Sequence, residues 1–386
     1  MIDTNLLLMI ALVLFATKSL SIITLRLHLP QVVGALMAGI LLGPAVLGMV
    51  EPSETISSIA DIGVLILLFS AGMETDFKEL RHSLKSSTLI AALGIALSLT
   101  TGFGVALLIL GPSVEAFFVG IIIASTSTSI TVEALHELGK LKSKSGMTIM
   151  STSVIDDIIG IVILAVVLGM SAGNGFSTFT VGFTLLRIAL FFIFAIICGM
   201  GVNRVFNYMY DKFGERRRLS IFALAFCLIM AFLAEMLGLA GITGAYIAGI
   251  ALCNTRCVER LEVNTNVLSY MFFTPIFLAN IGLNAVFEDL NGTIILFTVL
   301  LAAAAMLSKI IGCGLGAKIS RLSNQESLQI GAGMMTRGEI TLIVASKGIA
   351  HNLLDPQLFS SIIIVVLITV LITPIALKLV YSSKTS

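Results

Sequence analysis

The 386-residue chain is 57% hydrophobic and only 12% charged, against roughly 25% charged in an average soluble domain. Its 23 Lys and Arg nearly cancel its 22 Asp and Glu, which excludes the basic surplus of a nucleic-acid binder, and its apolar content excludes a disordered chain. Too few charges remain to cover a soluble surface of this size, so composition points to an integral membrane protein.

The apolar residues fall in runs of about 16 to 30, long enough to cross a hydrocarbon layer of about 30 Å as helices. A membrane barrel would instead show alternating segments of about ten residues. The expectation is an all-α polytopic protein with about thirteen spans, at 5–25, 31–50, 55–73, 86–110, 114–138, 145–170, 180–203, 219–237, 239–254, 265–286, 292–317, 326–350 and 357–380. The first span lacks the basic flank and the cleavage site of a secretory signal, and its apolar run is too long for one.

The connections between spans orient the chain. Arg26, Lys78, Arg81, Lys85, Lys140, Lys142, Lys144, Arg204, Lys212, Arg216, Arg217, Arg218, Arg256, Arg260, Lys318, Arg321, Lys378 and Lys384 fall on alternate connections, eighteen of the 23 basic residues. The opposite connections and their edges carry no basic residue, but Glu51, Glu54, Glu115, Glu288, Asp289 and Asp355. By the positive-inside rule the basic side is cytoplasmic, with the N-terminus outside and the C-terminus inside a cell inner membrane or plasma membrane.

Thirteen spans divide as six, one and six. Repeats over about 5–170 and 219–380, joined by a linker helix at 180–203, would make one membrane transporter domain of 1–386. The linker inverts the second repeat relative to the first, as in many secondary transporters. The support lies in where the oddities fall. Span five carries Ser125-Thr126-Ser127-Thr128-Ser129 in mid-membrane, and its counterpart, span twelve, carries Gly331, Gly333, Arg337, Gly338 and Glu339. Both are expected to be broken crossing helices, because unwound backbone is tolerated in a membrane where it lines a cavity. The alternative is ordinary helix packing through small residues.

Asp156 and Asp157 sit near the middle of span six, where a carboxylate costs roughly 2.5–3.5 kcal/mol on insertion scales. Neighbours on a helix point about 100° apart, so one can meet a watery cavity and the other a packed helix. Lys309 in span eleven is the candidate charge partner. A carboxylate reached by water binds a proton or a small cation, but not both at once, and that competition suffices for exchange. Hydroxyls of Thr126, Ser127 and Thr128 can replace the water of a cation such as Na⁺ at Asp157, together with carbonyls freed at half-helix ends. Arg337 would sit by the negative end of one half-helix and Glu339 by the positive end of the next, with Glu133 in a similar compensating part. Asp61 and Glu235 lie nearer the outer ends of their spans, where water is accessible and a structural role is favoured.

The stretch Ser125 to Leu141, Val154-Ile155-Asp156-Asp157, Ala71-Gly72-Met73-Glu74 and Arg337-Gly338-Glu339 resemble the monovalent cation:proton antiporters of the NapA and GerN type, over essentially the whole chain. That resemblance implies a homodimer in which a core domain moves against a scaffold, in an elevator-like form of alternating access. It implies Asp157 as the principal cation and proton site, with Asp156 paired to Lys309. Breaking that pair on sodium binding would free a second proton, making an exchange of Na⁺ (with Li⁺ or K⁺ as further candidates) for H⁺ electrogenic and a contributor to pH homeostasis. Potassium-efflux relatives of the Kef type carry a long cytoplasmic nucleotide-binding domain; the chain stops about six residues after its last span, so no soluble regulatory domain is expected.

The remaining features carry less. The five cysteines read as reduced, packed residues, and Cys253 with Cys257 lacks the further ligands of a zinc site. His28, His82 and His136 read as solvated residues beside cytoplasmic loops. Arg216, Arg217 and Arg218 suit lipid headgroups. No nucleophile constellation, metal triad or phosphate-binding glycine loop points to an enzyme, and no cofactor beyond the transported ions is expected. The competing reading is a gated cation channel or a K⁺/H⁺ efflux protein.

Overall fold

The computed structural model describes residues 4–27, 29–75, 77–169, 178–213, 218–285, 292–350 and 352–382, and among these its regular structure is entirely helical. The first half comprises α1 Thr4–Arg26, α2 Gln31–Leu42, α3 Glu54–Met73, α4 Phe77–Leu110, α5 Val114–Ala124, α6 Thr128–Glu137 and α7 Lys144–Gly169. After α8 Thr178–Phe213 come α9 Arg218–Met236, α10 Gly241–Leu252, α11 Val258–Leu268, α12 Thr274–Leu283, α13 Gly292–Ile319, α14 Asn324–Gly333, α15 Glu339–Ala350 and α16 Pro356–Ser382. Ten segments among the described residues are long and apolar enough for a full crossing, and α2, α10 and most of α15 are shorter apolar helices. The protein is a multi-pass membrane protein.

The helices expected at 86–110 and 180–203 are longer than read, beginning at Phe77 and running to Phe213 respectively, and two other spans differ for local reasons. The span expected at 31–50 is helical only to Leu42, because Gly43 precedes Pro44 and is extended (φ −73°, ψ 177°). The span expected at 265–286 begins earlier, at Val258, and contains a π-helical stretch, Ser269–Phe273, between α11 and α12. Pro275, in the first turn of α12, has no N–H to give to the preceding turn, and the backbone takes up the slack in the wider register.

Packing sorts the helices into two groups. In one, α4 lies against α13, α5 and α7, and α13 against α14 and α16, so this group holds both interrupted segments. In the other, α3 lies against α10 and α12, α2 against α1 and α12, and α9 against α10. The pairings recur in order along the chain: α1 with α2 as α9 with α10, α4 with α5 as α13 with α14, α4 with α7 as α13 with α16. Small residues allow a close crossing of α3 and α10 in the second group. A Cβ on Gly72 of α3 or Gly249 of α10 would lie 2.2 Å from a carbonyl oxygen of the facing helix.

The two ends of the bundle differ in charge. At one, Lys142 reaches Glu74 and Glu262 at 3.9 Å each, and Lys144 reaches Glu326 at 3.1 Å, joining the basic connections. At the other, the backbone N–H of Asp355 donates to Glu115 at 2.6 Å. The bundle thus has a basic-loop end and an acidic-loop end. Exposed Leu186, Leu190, Ile193, Ile197 and Met200 run along α8, as a lipid-facing helix requires.

Candidate functional site

The chain breaks twice in the first helix group, and the breaks meet. α5 ends at Ala124 and α6 begins at Thr128; α14 ends at Gly333 and α15 begins at Glu339. Where the segments cross, the N–H of Ser127 donates to the Thr336 carbonyl at 2.9 Å. The Thr131 hydroxyl donates to the Gly333 carbonyl at 2.7 Å, and the hydroxyls of Ser125 and Thr341 lie 2.9 Å apart. Hydroxyl-bearing residues thus satisfy backbone that lipid could not. Gly338 is required by this approach: a Cβ there would lie 2.5 Å from Ser127 Oγ and 2.6 Å from its Cβ.

Arg337 closes the second break. Its guanidinium is 0% exposed, donates to the Ala305 carbonyl of α13 at 2.8 Å, and lies 3.5, 3.5 and 3.4 Å from the carbonyls of Met334, Met335 and Thr336. A fixed positive charge therefore stands at the negative end of α14. The backbone of Glu339 opens α15; its side chain lies outside the described residues.

The two aspartates of α7 meet different surroundings. Asp156 is 2% exposed and accepts a 2.6 Å charge-assisted bond from Lys309 Nζ of α13, itself 0% exposed. Asp157 is half-buried, and its Oδ2 accepts a 3.3 Å bond from the Thr243 hydroxyl of α10, across the boundary between the two helix groups. A cavity of about 560 Å³ runs from these carboxylates toward the acidic-loop end, lined also by Asp61, Ser125, Thr126, Glu235, Asn280 and Lys347. Toward the basic-loop end a small void of about 10 Å³ lies between Thr128, Val154, Asp157, Thr243 and Tyr246. The hydroxyls of Thr126 and Thr128 are buried without a hydrogen-bond partner, whereas Ser127 contacts Ser129 at 3.1 Å. Thr126 shares the cavity with Asp157, and Thr128 shares the smaller void with it. Among the described residues no group of three His, Cys, Asp or Glu could hold a metal ion.

Other residues singled out from the sequence lie elsewhere. Glu133 accepts a 3.3 Å bond from Tyr270 of the π-helical stretch. His136, expected as a solvated residue, instead has its Nε2 3.3 Å from Glu74 and its ring 5.1 Å from Tyr270. Contacts across the helix boundary fix it there. Asp61 and Glu235, for which a structural role was favoured, line the cavity. His28 and the side chain of His82 lie outside the described residues, as do Arg216 and Arg217. Thr243, Thr336 and Thr341 escaped the sequence reading, since single threonines in apolar runs carry little signal; Gly241-Ile242-Thr243-Gly244 at the start of a short helix is the nearest to one.

Paired breaks around a carboxylate-floored cavity define a membrane transport protein. The description "Sodium/hydrogen exchanger, transmembrane" matches residues 9–382, and the chain belongs to that family. It is 36% identical over 376 residues to the Na(+)/H(+)-K(+) antiporter GerN of Bacillus cereus, covering 97% of this chain and 96% of that one. It is likewise 36% identical to a Na(+)/H(+) antiporter of Enterococcus hirae, over 96% of each chain. Its fold is similar to that of the sodium proton antiporter MjNhaP1 of Methanocaldococcus jannaschii, with a TM-score of 0.71 at 17% identity, over 98% of this chain and 99% of the other.

Proposed function

We propose that the protein exchanges Na⁺ for protons, with Li⁺ and K⁺ as further cargo candidates. The carrying observation is Asp157, which shares the cavity with the unpartnered hydroxyl of Thr126 and the smaller void with that of Thr128. Sodium and a proton compete for the same carboxylate: the ion takes its ligands from Asp157 and those hydroxyls, and a proton replaces it on the return. The printed functions of the relatives support this reading, and GerN's includes K⁺.

The charged groups around the floor have separate parts. Lys309 holds Asp156 while the site is empty; when sodium draws Asp156 away, Lys309 surrenders its proton, and Asp157 supplies the other. Two protons then move for each sodium, and the membrane potential contributes roughly 2.3 kcal/mol per 100 mV to the net charge. Arg337 and Glu339 offset the half-helix ends, and Glu133 acts farther from the crossing. The helix group with the breaks moves as an elevator against the other, in a homodimer whose fixed part is the second group. The two repeats are those read from the sequence, and the recurring packing pairs support them. The basic-loop end faces the cytoplasm.

The test is Asp157→Asn in proteoliposomes. Folded variant protein should show no sodium-dependent proton movement, while the wild type acidifies or alkalinises the lumen according to the sodium gradient. Normal exchange by the variant removes the proposed site; passive sodium current without proton coupling in the wild type makes the protein a channel.

A further inference from the structure

The last turn of α6 grips the other helix group at the basic-loop end. Glu133 accepts from Tyr270, and His136 sits against Glu74 of the α3 terminus. The strongest contact is that of Glu137. Its two carboxylate oxygens accept the N–H groups of Gln31 at 2.6 Å and Val32 at 3.3 Å, the first two amides of α2. Those amides belong to the donors that a helix leaves without partners, and α2 supplies no cap of its own, since its N-cap is Pro30. A carboxylate at a helix N-terminus also meets the positive end of the helix dipole. The helix capped is in one packing group and the cap in the other.

The cavity explains what such a grip does. Asp157 opens into the wide cavity toward the acidic-loop end, and a small void by Val154 lies on its other side. We propose that Glu137 is the clasp of the inner gate: a positioning residue whose bond to the α2 amides holds the transporter open to the acidic-loop end. Opening to the basic-loop end must part α6 from α2 and return two amides and a carboxylate to water. This rests on the exchange reading only in taking that opening as half of the transport cycle.

Gly160 and Val154 test it, because they lie on α7 one turn to either side of the aspartates. Gly160 lines the wide cavity, with nothing within 4 Å of where its Cβ would stand, and Val154 lines the small void. Gly160→Cys and Val154→Cys are made singly in the full chain, in nanodiscs, and alkylation of each introduced thiol by a small charged maleimide is followed by peptide mass spectrometry. Glu137→Ala should raise the labelling rate at position 154 and lower it at position 160, the two changes multiplying to roughly tenfold, the size of losing one helix cap. Glu137→Gln, which keeps an acceptor oxygen and the side-chain shape, should move both rates the same way by less. It decides the matter if the alanine variant does not fold. Loss of a merely structural cap would leave both rates unchanged or raise both together, and either result overturns the clasp. The readout needs no transport, so failure here is distinct from failure of the exchange reading.

Discussion

The two broken helices hold corresponding places in the two halves of the chain, yet they finish their loose ends differently. At the α5–α6 break the hydroxyls of Thr126 and Thr128 are buried and unpartnered. At the α14–α15 break Arg337 fills the corresponding space with its own guanidinium, against carbonyls at 305 and 334 to 336. In the proposed exchange, one break keeps its oxygens for a cation that comes and goes, while the other carries the permanent charge of Arg337. The division is electrostatically sensible. Two open breaks would gather negative helix ends with nothing to offset them between cargoes, and two closed ones would leave no ligands.

The largest expected effect tests the closed break. Arg337→Met strands buried carbonyls that now accept from a charged donor, and should lower stability by about 3 kcal/mol, read by thermal unfolding in detergent. A variant as stable as the wild type would mean that Arg337 does not close the break. Lys309→Gln comes next. It should reduce exchange to one proton per sodium and abolish voltage dependence in proteoliposomes clamped at several potentials, removing roughly 2.3 kcal/mol of drive per 100 mV. Wild-type voltage dependence in that variant would leave Lys309 a structural partner of Asp156 alone.

The open break is sharpened by smaller changes. Thr126→Val and Thr128→Val should each weaken apparent sodium affinity by about three- to tenfold while leaving stability equal or higher, since each removes a buried hydroxyl without a partner. Thr341→Val should behave in the opposite sense. Its hydroxyl is engaged by Ser125 and by the N–H of Gly338, so its loss should lower the melting temperature. Equal behaviour of all three variants would erase the contrast between the breaks.

The smallest effect lies away from the crossing, at Glu74. Burial opposes its charge, but the hydrogen bond and charge of His136 and the charge of Lys142 outweigh it and hold the carboxyl below its ordinary 4.5. The resulting stabilisation is complete above the ordinary value and fades as pH falls through the depressed one. Glu74→Gln should therefore lower stability at neutral pH by less than about 1 kcal/mol, leave it nearly unchanged below the depressed value, and so flatten the acid side of the melting-temperature profile. An unchanged acid limb would remove Glu74 from the account.

Much of the site was legible because burying charge in a membrane is expensive: Asp156, Asp157, Lys309 and Arg337 stand out from apolar runs without any structure. The serine and threonine run at 125 to 129 stood out for a different reason, as hydroxyls that mark where a membrane helix can unwind. Glu137 did not. It ends a predicted span beside a basic connection, where an acidic residue is ordinary, and only the arrival of the α2 terminus gives it a partner. His136 was misjudged on the same ground, since Glu74 and Tyr270 come from distant parts of the chain.

The sequence by itself determined that the chain is helical and spans a membrane, where most of its helices lie, and which two spans are interrupted where they cross. These follow from local physics: hydrocarbon demands apolar length and internally bonded backbone, and prolines, glycines and hydroxyls mark where that demand is relaxed. Both aspartates line the cavity, and only the tertiary structure shows why Asp156 is locked to Lys309 while Asp157 reaches Thr243. The two carboxylates are chemically identical neighbours, and their fates diverge through what α13 and α10 bring within 2.6 and 3.3 Å of each. It likewise decided which end of the bundle is open, because closure is a contact between groups of helices and no single segment contains it.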